Sequence, residues 1–215
     1  MYRVLFVLLS ICFFHNAFAE FNQLYVIQNE INAEQSKLQD RNIKDINEVN
    51  NVIFEMYQTD QKVRNLTLKD MHDPNVQAII KQMDEFHTKK MKAILAEHQW
   101  ITISKFGEKT ADLAWLLIQH ADEDPFFQAG CLYVMSHLEK SEYNLKNYAY
   151  LYDRVALKFQ EIGMKQRYGT QVKIENGVVT LLPYDGTLED VEQRRKEANL
   201  EPLNEYLMMI KSIYS

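Results

Sequence analysis

Hydrophobic residues recur at helical spacing along most of this chain. The longest stripe consists of Val76, Ile79, Ile80, Met83, Phe86, Met91, Ile94 and Leu95. It predicts a helix from Asp73-Pro74 to about His98, because Asp can cap a helix and Pro fits its first turn. A weaker stripe over residues 43–57 predicts a helix in the polar segment that precedes it.

Three further helices are predicted in the middle of the chain. The first starts near Gly107 and keeps its apolar face up to His120. Pro125 opens the second helix, and the third runs from about Asn144 to a stop at Gly163. The predicted buried stripe of that third helix is Leu145, Tyr148, Tyr152, Val155, Phe159 and Ile162.

The spacing becomes alternating only once, and there it predicts a β-hairpin at about residues 168–183. Asn176-Gly177 lies between its two apolar segments and is a strong hairpin turn. Residues 188–198 and 202–213 then predict two closing helices. Because a lone hairpin is marginal in water, it must pack on the helices. The predicted fold class is therefore mainly α, a multi-helix domain with one β-hairpin packed on it.

The first 19 residues predict a secretory signal peptide. Arg3 supplies the positive start, Val4 to Phe14 is an apolar run, and Ala17-Phe18-Ala19 is a small-x-small cleavage site. The run is shorter than the roughly 20 residues that a membrane helix needs, although an uncleaved anchor is the alternative. We therefore expect export to the periplasm or out of the cell, with no stable membrane span after cleavage.

Composition narrows the class of protein. The 215 residues are 47% hydrophobic with only 6 Gly, which suits a globular domain and excludes disordered and collagen-like chains. A net charge of −6 lacks the basic surface of a nucleic-acid-binding protein, so no nucleic-acid partner is expected. After residues 1–19, the expected parts are an N-terminal helical region, 20–97, and a helical domain, 98–215. Cys131 lies among apolar neighbours, which favours a buried, inert thiol over a nucleophile.

The densest polar group beside an apolar helix face surrounds His120. His120 lies on the predicted apolar stripe, and Asp122 follows just beyond the helix end. A partly buried histidine beside a carboxylate can act as a general base, because the carboxylate orients the ring and stabilises its charged form. The alternative is a core histidine whose nitrogens are satisfied by neighbouring groups. No second histidine follows at metal-binding spacing, so neither a metal nor a cofactor is predicted.

Two other short segments carry polar chemistry. Asp153 and Arg154 lie in the aromatic third helix, where neighbours point about 100° apart. Arg154 can clamp a carboxylate or phosphate with two hydrogen bonds, or lock two helices through an acidic partner. The segment Tyr168 to Gln171 enters the hairpin with three hydrogen-bonding side chains.

Several of these residues belong to an ordered set of motifs. The set is Gln119-His120-Ala121-Asp122, Phe127-Gln128, Asp153-Arg154-Val155 and Gln166-Arg167-Tyr168-Gly169-Thr170-Gln171. In this order it resembles a bacterial domain family of unknown function, over about residues 98–208. The resemblance implies no established activity. It does imply that one group of polar side chains belongs together, which indicates a shared pocket. That group is His120, Asp122, Gln128, Asp153, Arg154, Tyr168 and Gln171.

Three hypotheses follow for these polar residues. The leading one is a hydrolase or transferase of the cell envelope or the secreted space that acts on a small or anionic substrate. In this hypothesis His120 is the general base, and Asp122 or Asp153 orients it. Arg154 binds an anionic group. The substrate-binding residues would be Gln128, Tyr168, Thr170 and Gln171. The second hypothesis is a non-catalytic module that binds a small molecule, a peptide or, through its N-terminal helices, a protein partner. The third is a buried network that gives the fold its specificity.

Overall fold

The structure is a computed structural model that describes residues 24–67, 73–175 and 178–214. The predicted signal peptide and the Asn176-Gly177 turn lie outside the described residues. The chain forms two compact units, one ending at Lys90 and the other beginning at Met91.

The first unit is built from long helices. Residues 24–38 form α1, α2 spans Ile46–Thr67, and α3 spans Pro74–His98, with the residues from Met91 onward belonging to the second unit. Asp73 Oδ1 accepts the amide hydrogen of Asn75 at 2.7 Å, which confirms the predicted helix start. The buried core of this unit contains Ile27, Ile31, Val63, Val76, Ile79, Ile80 and Met83. The predicted apolar stripe of α3 is thus buried in this core over residues 76–83.

Short helices make up most of the second unit. They are α4 Ile103–Phe106, α5 Glu108–Gln119, α6 Pro125–Ser136, α7 Leu145–Lys158, α8 Leu188–Glu197 and α9 Leu203–Tyr214. Polar caps explain where they begin, because Asp124 accepts the amide hydrogen of Phe127 at 3.0 Å and Asn144 that of Lys146 at 3.0 Å. Asn199 follows the end of α8 in a left-handed conformation, with a φ of 57°, as is common where a helix stops.

The β-hairpin packs on the closing helices, as predicted. Strand β1 spans Val172–Glu175 and pairs antiparallel with β2, Val178–Leu181, so that Val172 lies opposite Leu181. Both of these residues pack against a buried cluster formed by Val191, Leu203 and Tyr206. The fold is therefore mainly α with a minor hairpin. Among the described residues, no helix is long and apolar enough to cross a membrane.

Helix α7 differs from its prediction in length and in its buried face. It ends at Lys158, a short 3₁₀ turn covers Gln160–Ile162, and Ile162 is 77% exposed although it was predicted to be buried. The residues that α7 buries are Asn147, Ala149, Leu151, Asp153, Val155 and Ala156. Tyr148 and Tyr152 are consequently only half-buried. The prediction was wrong because periodicity treats tyrosine as core and aspartate as surface, whereas Asp153 finds buried hydrogen-bond donors.

Candidate functional site

A loop of residues 166–171 leads into the hairpin, and the carboxylate of Asp153 holds its amide groups. Asp153 is completely buried. Its Oδ1 accepts from the amide of Arg167 at 2.6 Å and from that of Tyr168 at 3.1 Å, while Oδ2 accepts from the amide and the hydroxyl of Thr170 at 2.9 and 3.0 Å. Burial raises the pKa of Asp153, and these donors oppose that effect because they favour the charged form.

Side chains of α8 bind the carbonyl groups of the same loop. Arg194 Nε donates to the carbonyl oxygen of Arg167 at 2.7 Å, and Arg195 Nη1 donates to that of Tyr168 at 2.7 Å. Arg195 is completely buried, and its guanidinium carbon lies 5.0 Å from the centre of the Tyr206 ring. Arg194, Arg195 and Lys196 follow one another in α8, and nothing in that basic run indicates that Arg195 alone is completely buried, so the sequence did not predict its role.

The buried side chain of Gln166 closes the loop on itself. Its Nε2 donates to the carbonyl oxygens of Gln171 at 3.1 Å and Leu182 at 2.6 Å, and its Oε1 accepts the amide hydrogen of Gln171 at 3.0 Å. Gln171 Nε2 in turn donates to Thr170 Oγ1 at 3.2 Å. Because both its amides and its carbonyls are bound, the loop backbone is held in one conformation.

Beside this loop lies a surface that we call the tyrosine face, formed by Tyr143, Tyr148, Tyr152 and Tyr168. The ring centres of Tyr148 and Tyr152 are 6.4 Å apart, and those of Tyr152 and Tyr168 are 6.0 Å apart in an edge-on arrangement. All four rings are half-buried, and within the described parts of the chain their hydroxyls make no hydrogen bond. Burial raises the pKa of Tyr168 to about 12, so its hydroxyl stays a hydrogen-bond donor at neutral pH.

Arg167 points its charge at the tyrosine face. Its guanidinium carbon lies 5.7 Å from the centre of the Tyr152 ring, within the range of a cation–π contact. Its Nε is buried and finds no hydrogen-bond partner among the described residues. In the part of the chain that the structure describes, Arg167 forms no ion pair. Arg167 belongs to the motif from Gln166 to Gln171, and its position next to Tyr168 was the one sequence signal that it is a site residue.

The other predicted site residues gather near the end of α5. Arg154 forms a two-pronged ion pair with Asp122, in which Nε donates to Oδ1 at 2.7 Å and Nη2 donates to Oδ2. Burial disfavours the Asp122 carboxylate, but the hydrogen bond and charge of Arg154 outweigh it, so the pKa of Asp122 lies below its usual value. Gln128 is completely buried, and its Nε2 donates to carbonyls at the end of α5, those of residues 118 and 119. His120 is half-buried and caps the C-terminus of α5.

The predicted site residues therefore fall into two groups. Asp153 contacts Tyr168 and Thr170 in the loop, whereas Arg154, the next residue along α7, contacts Asp122. The helical rotation of about 100° per residue separates the two. No cluster of three or more His, Cys, Asp or Glu side chains that could hold a metal ion occurs among the described residues.

By its fold and its candidate site, the protein is a mainly helical chain whose second unit places Arg167 beside the tyrosine face. The chain belongs to the Family of unknown function (DUF6624), whose model matches residues 47–215. The expected membership of a family of unknown function is thereby confirmed, and the match extends further toward the N-terminus than the motifs do. No curated protein and no solved structure matches the chain.

Proposed function

We propose that the protein is a ligand-binding module whose site is Arg167 and the tyrosine face. The ligand class is a small molecule with an anionic group next to a ring, either aromatic or sugar. One observation carries the proposal: the guanidinium of Arg167 lies 5.7 Å from the Tyr152 ring centre and, among the described residues, has no anionic partner.

The guanidinium of Arg167 supports an anionic ligand. Its buried Nε has no acceptor among the described residues, which costs about 1–3 kcal/mol, so fold stability does not explain this side chain. As a cation that forms no ion pair among those residues, the guanidinium is suited instead to a carboxylate or a phosphate. The planar guanidinium matches such groups with paired hydrogen bonds. The rings of Tyr152 and Tyr168 can stack on a ligand ring, while their hydroxyls offer further hydrogen bonds.

The network behind the loop supports binding by a preorganised site. Asp153 holds the amide of Arg167, and Arg194 holds its carbonyl, so the backbone that carries the guanidinium loses little freedom when a ligand binds. In this proposal Asp153 and Thr170 are positioning residues. Tyr168 contacts the ligand directly.

Contacts of the two carboxylates favour binding over catalysis. The hydrolase or transferase hypothesis uses Asp122 or Asp153 to orient His120. Asp122 is engaged by Arg154, and Asp153 by the loop donors. We propose instead that the pair of Asp122 and Arg154 locks α7 to the end of α5. The predicted signal peptide would place the module in the periplasm or outside the cell.

Calorimetric titration of phenyl phosphate into the chain without residues 1–19 tests the proposal. We expect saturable binding that Arg167→Gln weakens by about tenfold or more, because a hydrogen bond to a charged group is lost. Lys165→Gln is the matched control, since Lys165 is an exposed cation two positions away. Inorganic phosphate and phenol, titrated separately, should each bind more weakly than phenyl phosphate. Equal binding to wild type and Arg167→Gln would exclude this site.

A further inference from the structure

A second candidate site lies in the second unit, between the C-terminal part of α3 and α6. On α3 the lining residues are Lys92, Leu95 and Ala96, with Gln99 just beyond the helix end, and on α6 they are Phe127, Gly130, Cys131 and Val134. Both sets follow the spacing i, i+3, i+4, i+7, so each lies along one face of its helix. With Trp100 they line an open groove of about 390 Å³, which we call the α3–α6 groove. That volume is within the range of small-molecule pockets.

The middle of the groove is open because its residues there are small. Ala96 and Gly130 occupy the middle of the two faces, and Leu95, Trp100, Phe127 and Val134 supply apolar walls. Cys131 is buried, and burial raises the pKa of its thiol to about 12, so it presents a neutral sulfur rather than a thiolate. The lining thus favours a hydrocarbon group.

Gly130 weakens α6 without a local packing reason. Glycine in the interior of a helix is less stable than alanine, because it loses more backbone freedom on folding. No atom lies within 4 Å of the place that a Cβ at residue 130 would take. The neighbours in the described structure therefore do not demand glycine, and the space it leaves belongs to the groove.

Gln99 carries a side chain at a position where the backbone favours glycine. It follows His98, the last residue of α3, with a φ of 65°, a left-handed conformation that glycine adopts without strain and that residues with a Cβ rarely adopt. Its side chain lines the groove. Both residues therefore lower the stability of the helices they belong to or follow. Gln99 does so because it carries a side chain in a left-handed conformation, and Gly130 because it lacks one inside a helix. Both border the groove. Such local strain is concentrated at functional sites.

The ion pair of Lys92 and Asp124 lies at one end of the groove. Lys92 pairs with Asp124, the N-cap of α6, and its Nζ lies 5.3 Å from the centre of the Phe127 ring. The side chain is 47% exposed, and an ammonium group has three donors, so it can accept a second anionic partner. We infer that the α3–α6 groove binds an anionic amphiphile of the fatty-acid type. The hydrocarbon tail lies between Ala96 and Gly130, and the carboxylate lies at Lys92.

Calorimetric titration of octanoate, decanoate and laurate into the chain without residues 1–19, below their micellar concentrations, measures the tail contribution. We expect the affinity to rise with chain length by up to about fourfold per CH₂, equivalent to about 0.8 kcal/mol. Dodecyltrimethylammonium has a tail of similar length and the opposite charge, and it should bind about tenfold more weakly than laurate. Absence of saturable laurate binding, or equal affinity for the two head groups, overturns the inference.

Variants locate the bound tail. Gly130→Leu fills the groove and should weaken laurate binding by about tenfold or more, whereas Asn204→Leu, which adds the same side chain at an exposed position of α9, should leave it unchanged. Gln99→Gly should raise the melting temperature and weaken laurate binding. If Gly130→Leu does not fold, Gly130→Ala replaces it, with a higher melting temperature and weaker laurate binding expected. Unchanged laurate affinity in the folded variants at positions 99 and 130 overturns the inference.

The groove shares no residue with the site at Arg167. Arg167→Gln should therefore leave laurate binding unchanged, and Gly130→Leu should leave phenyl phosphate binding unchanged. The two proposals thus fail separately, because each has its own probe and its own variant. Loss of laurate binding in Arg167→Gln would assign laurate to the Arg167 site and overturn the inference about the groove.

Discussion

Asp153 and Arg195 bind the amide and the carbonyl of the same residue, Tyr168. Asp153 Oδ1 accepts the amide hydrogen of Tyr168 at 3.1 Å, and Arg195 Nη1 donates to the carbonyl oxygen of Tyr168 at 2.7 Å. Both side chains are completely buried, and they come from different helices, α7 and α8. The position of Tyr168, and of Arg167 beside it, therefore depends on two buried charges that are distant in the chain.

Asp153→Ala should destabilise the protein strongly. The substitution leaves the amides of Arg167, Tyr168 and Thr170 without their acceptor and removes a buried charge. We expect the free energy of unfolding in urea to fall by about 3–5 kcal/mol. Glu161→Ala, which removes an exposed carboxylate, should change it by less than about 0.5 kcal/mol. Equal effects of the two substitutions would contradict the role of Asp153 in holding the loop.

The two arginines that flank Tyr168 in space should respond in opposite ways. Arg195→Met removes donors to buried carbonyls and should lower the free energy of unfolding by about 3 kcal/mol or more. Arg167→Met removes a buried Nε that has no partner, so it should leave stability unchanged or raise it by up to about 1 kcal/mol. Chemical unfolding of both variants checks this. A large loss of stability in Arg167→Met would show that its side chain supports the fold.

Acid should remove the contribution of the Asp122–Arg154 pair. The folded pKa of Asp122 lies below its usual value of 3.8, so the pair stabilises the folded state above that pH and loses its effect as the pH falls through the folded pKa. Both side chains are partly exposed, so we expect Asp122→Asn to lower the free energy of unfolding by only about 0.5–1 kcal/mol at pH 6. The difference from wild type should shrink as the pH falls below 3.8 and through the folded pKa of Asp122. An undiminished difference at the lowest pH at which both proteins stay folded would contradict an ionic origin.

Alanine should have opposite effects at two glycines. Gly130→Ala should raise the free energy of unfolding by about 0.5–1 kcal/mol, because the helix gains propensity and the Cβ meets no neighbour. Gly169→Ala should lower it, because Gly169 has a φ of 65° and a Cβ there would lie 3.1 Å from Leu203 Cδ1. Thermal unfolding of both variants compares them. A gain at Gly169 would contradict the described loop conformation.

The thiol of Cys131 should be protected in the folded protein. It is buried, and burial raises its pKa to about 12, so little thiolate is present at pH 8. In the chain without residues 1–19, Cys131 is the single cysteine. We expect a colorimetric disulfide reagent to modify it only slowly in buffer and rapidly in guanidinium chloride. Rapid modification of the folded protein would show that the thiol is exposed.

Local sequence features were sufficient to predict most helix boundaries. The starts at Asp73, Asp124 and Asn144 depend on side chains that accept hydrogen bonds from amides two or three residues further along the chain. The hairpin and the left-handed stop at Asn199 follow from equally local preferences. The mainly helical fold could therefore be read from the sequence, because capping and periodicity act over a few residues.

The candidate site could not be read in the same way. The order of the motifs predicted that Asp153, Arg154 and Tyr168 share one pocket. In the structure, however, Asp153 binds the loop of residues 166–171, whereas Arg154 pairs with Asp122. No local feature of the sequence explains why Arg195 is buried or why Tyr148 and Tyr152 on α7 stay half-buried. A charged side chain takes its partner from segments that are distant in sequence, and only the packing of the helices sets those distances. Sequence thus supplied the helices, the hairpin and the residue types, while tertiary packing settled which charges meet and which arginine faces the tyrosines.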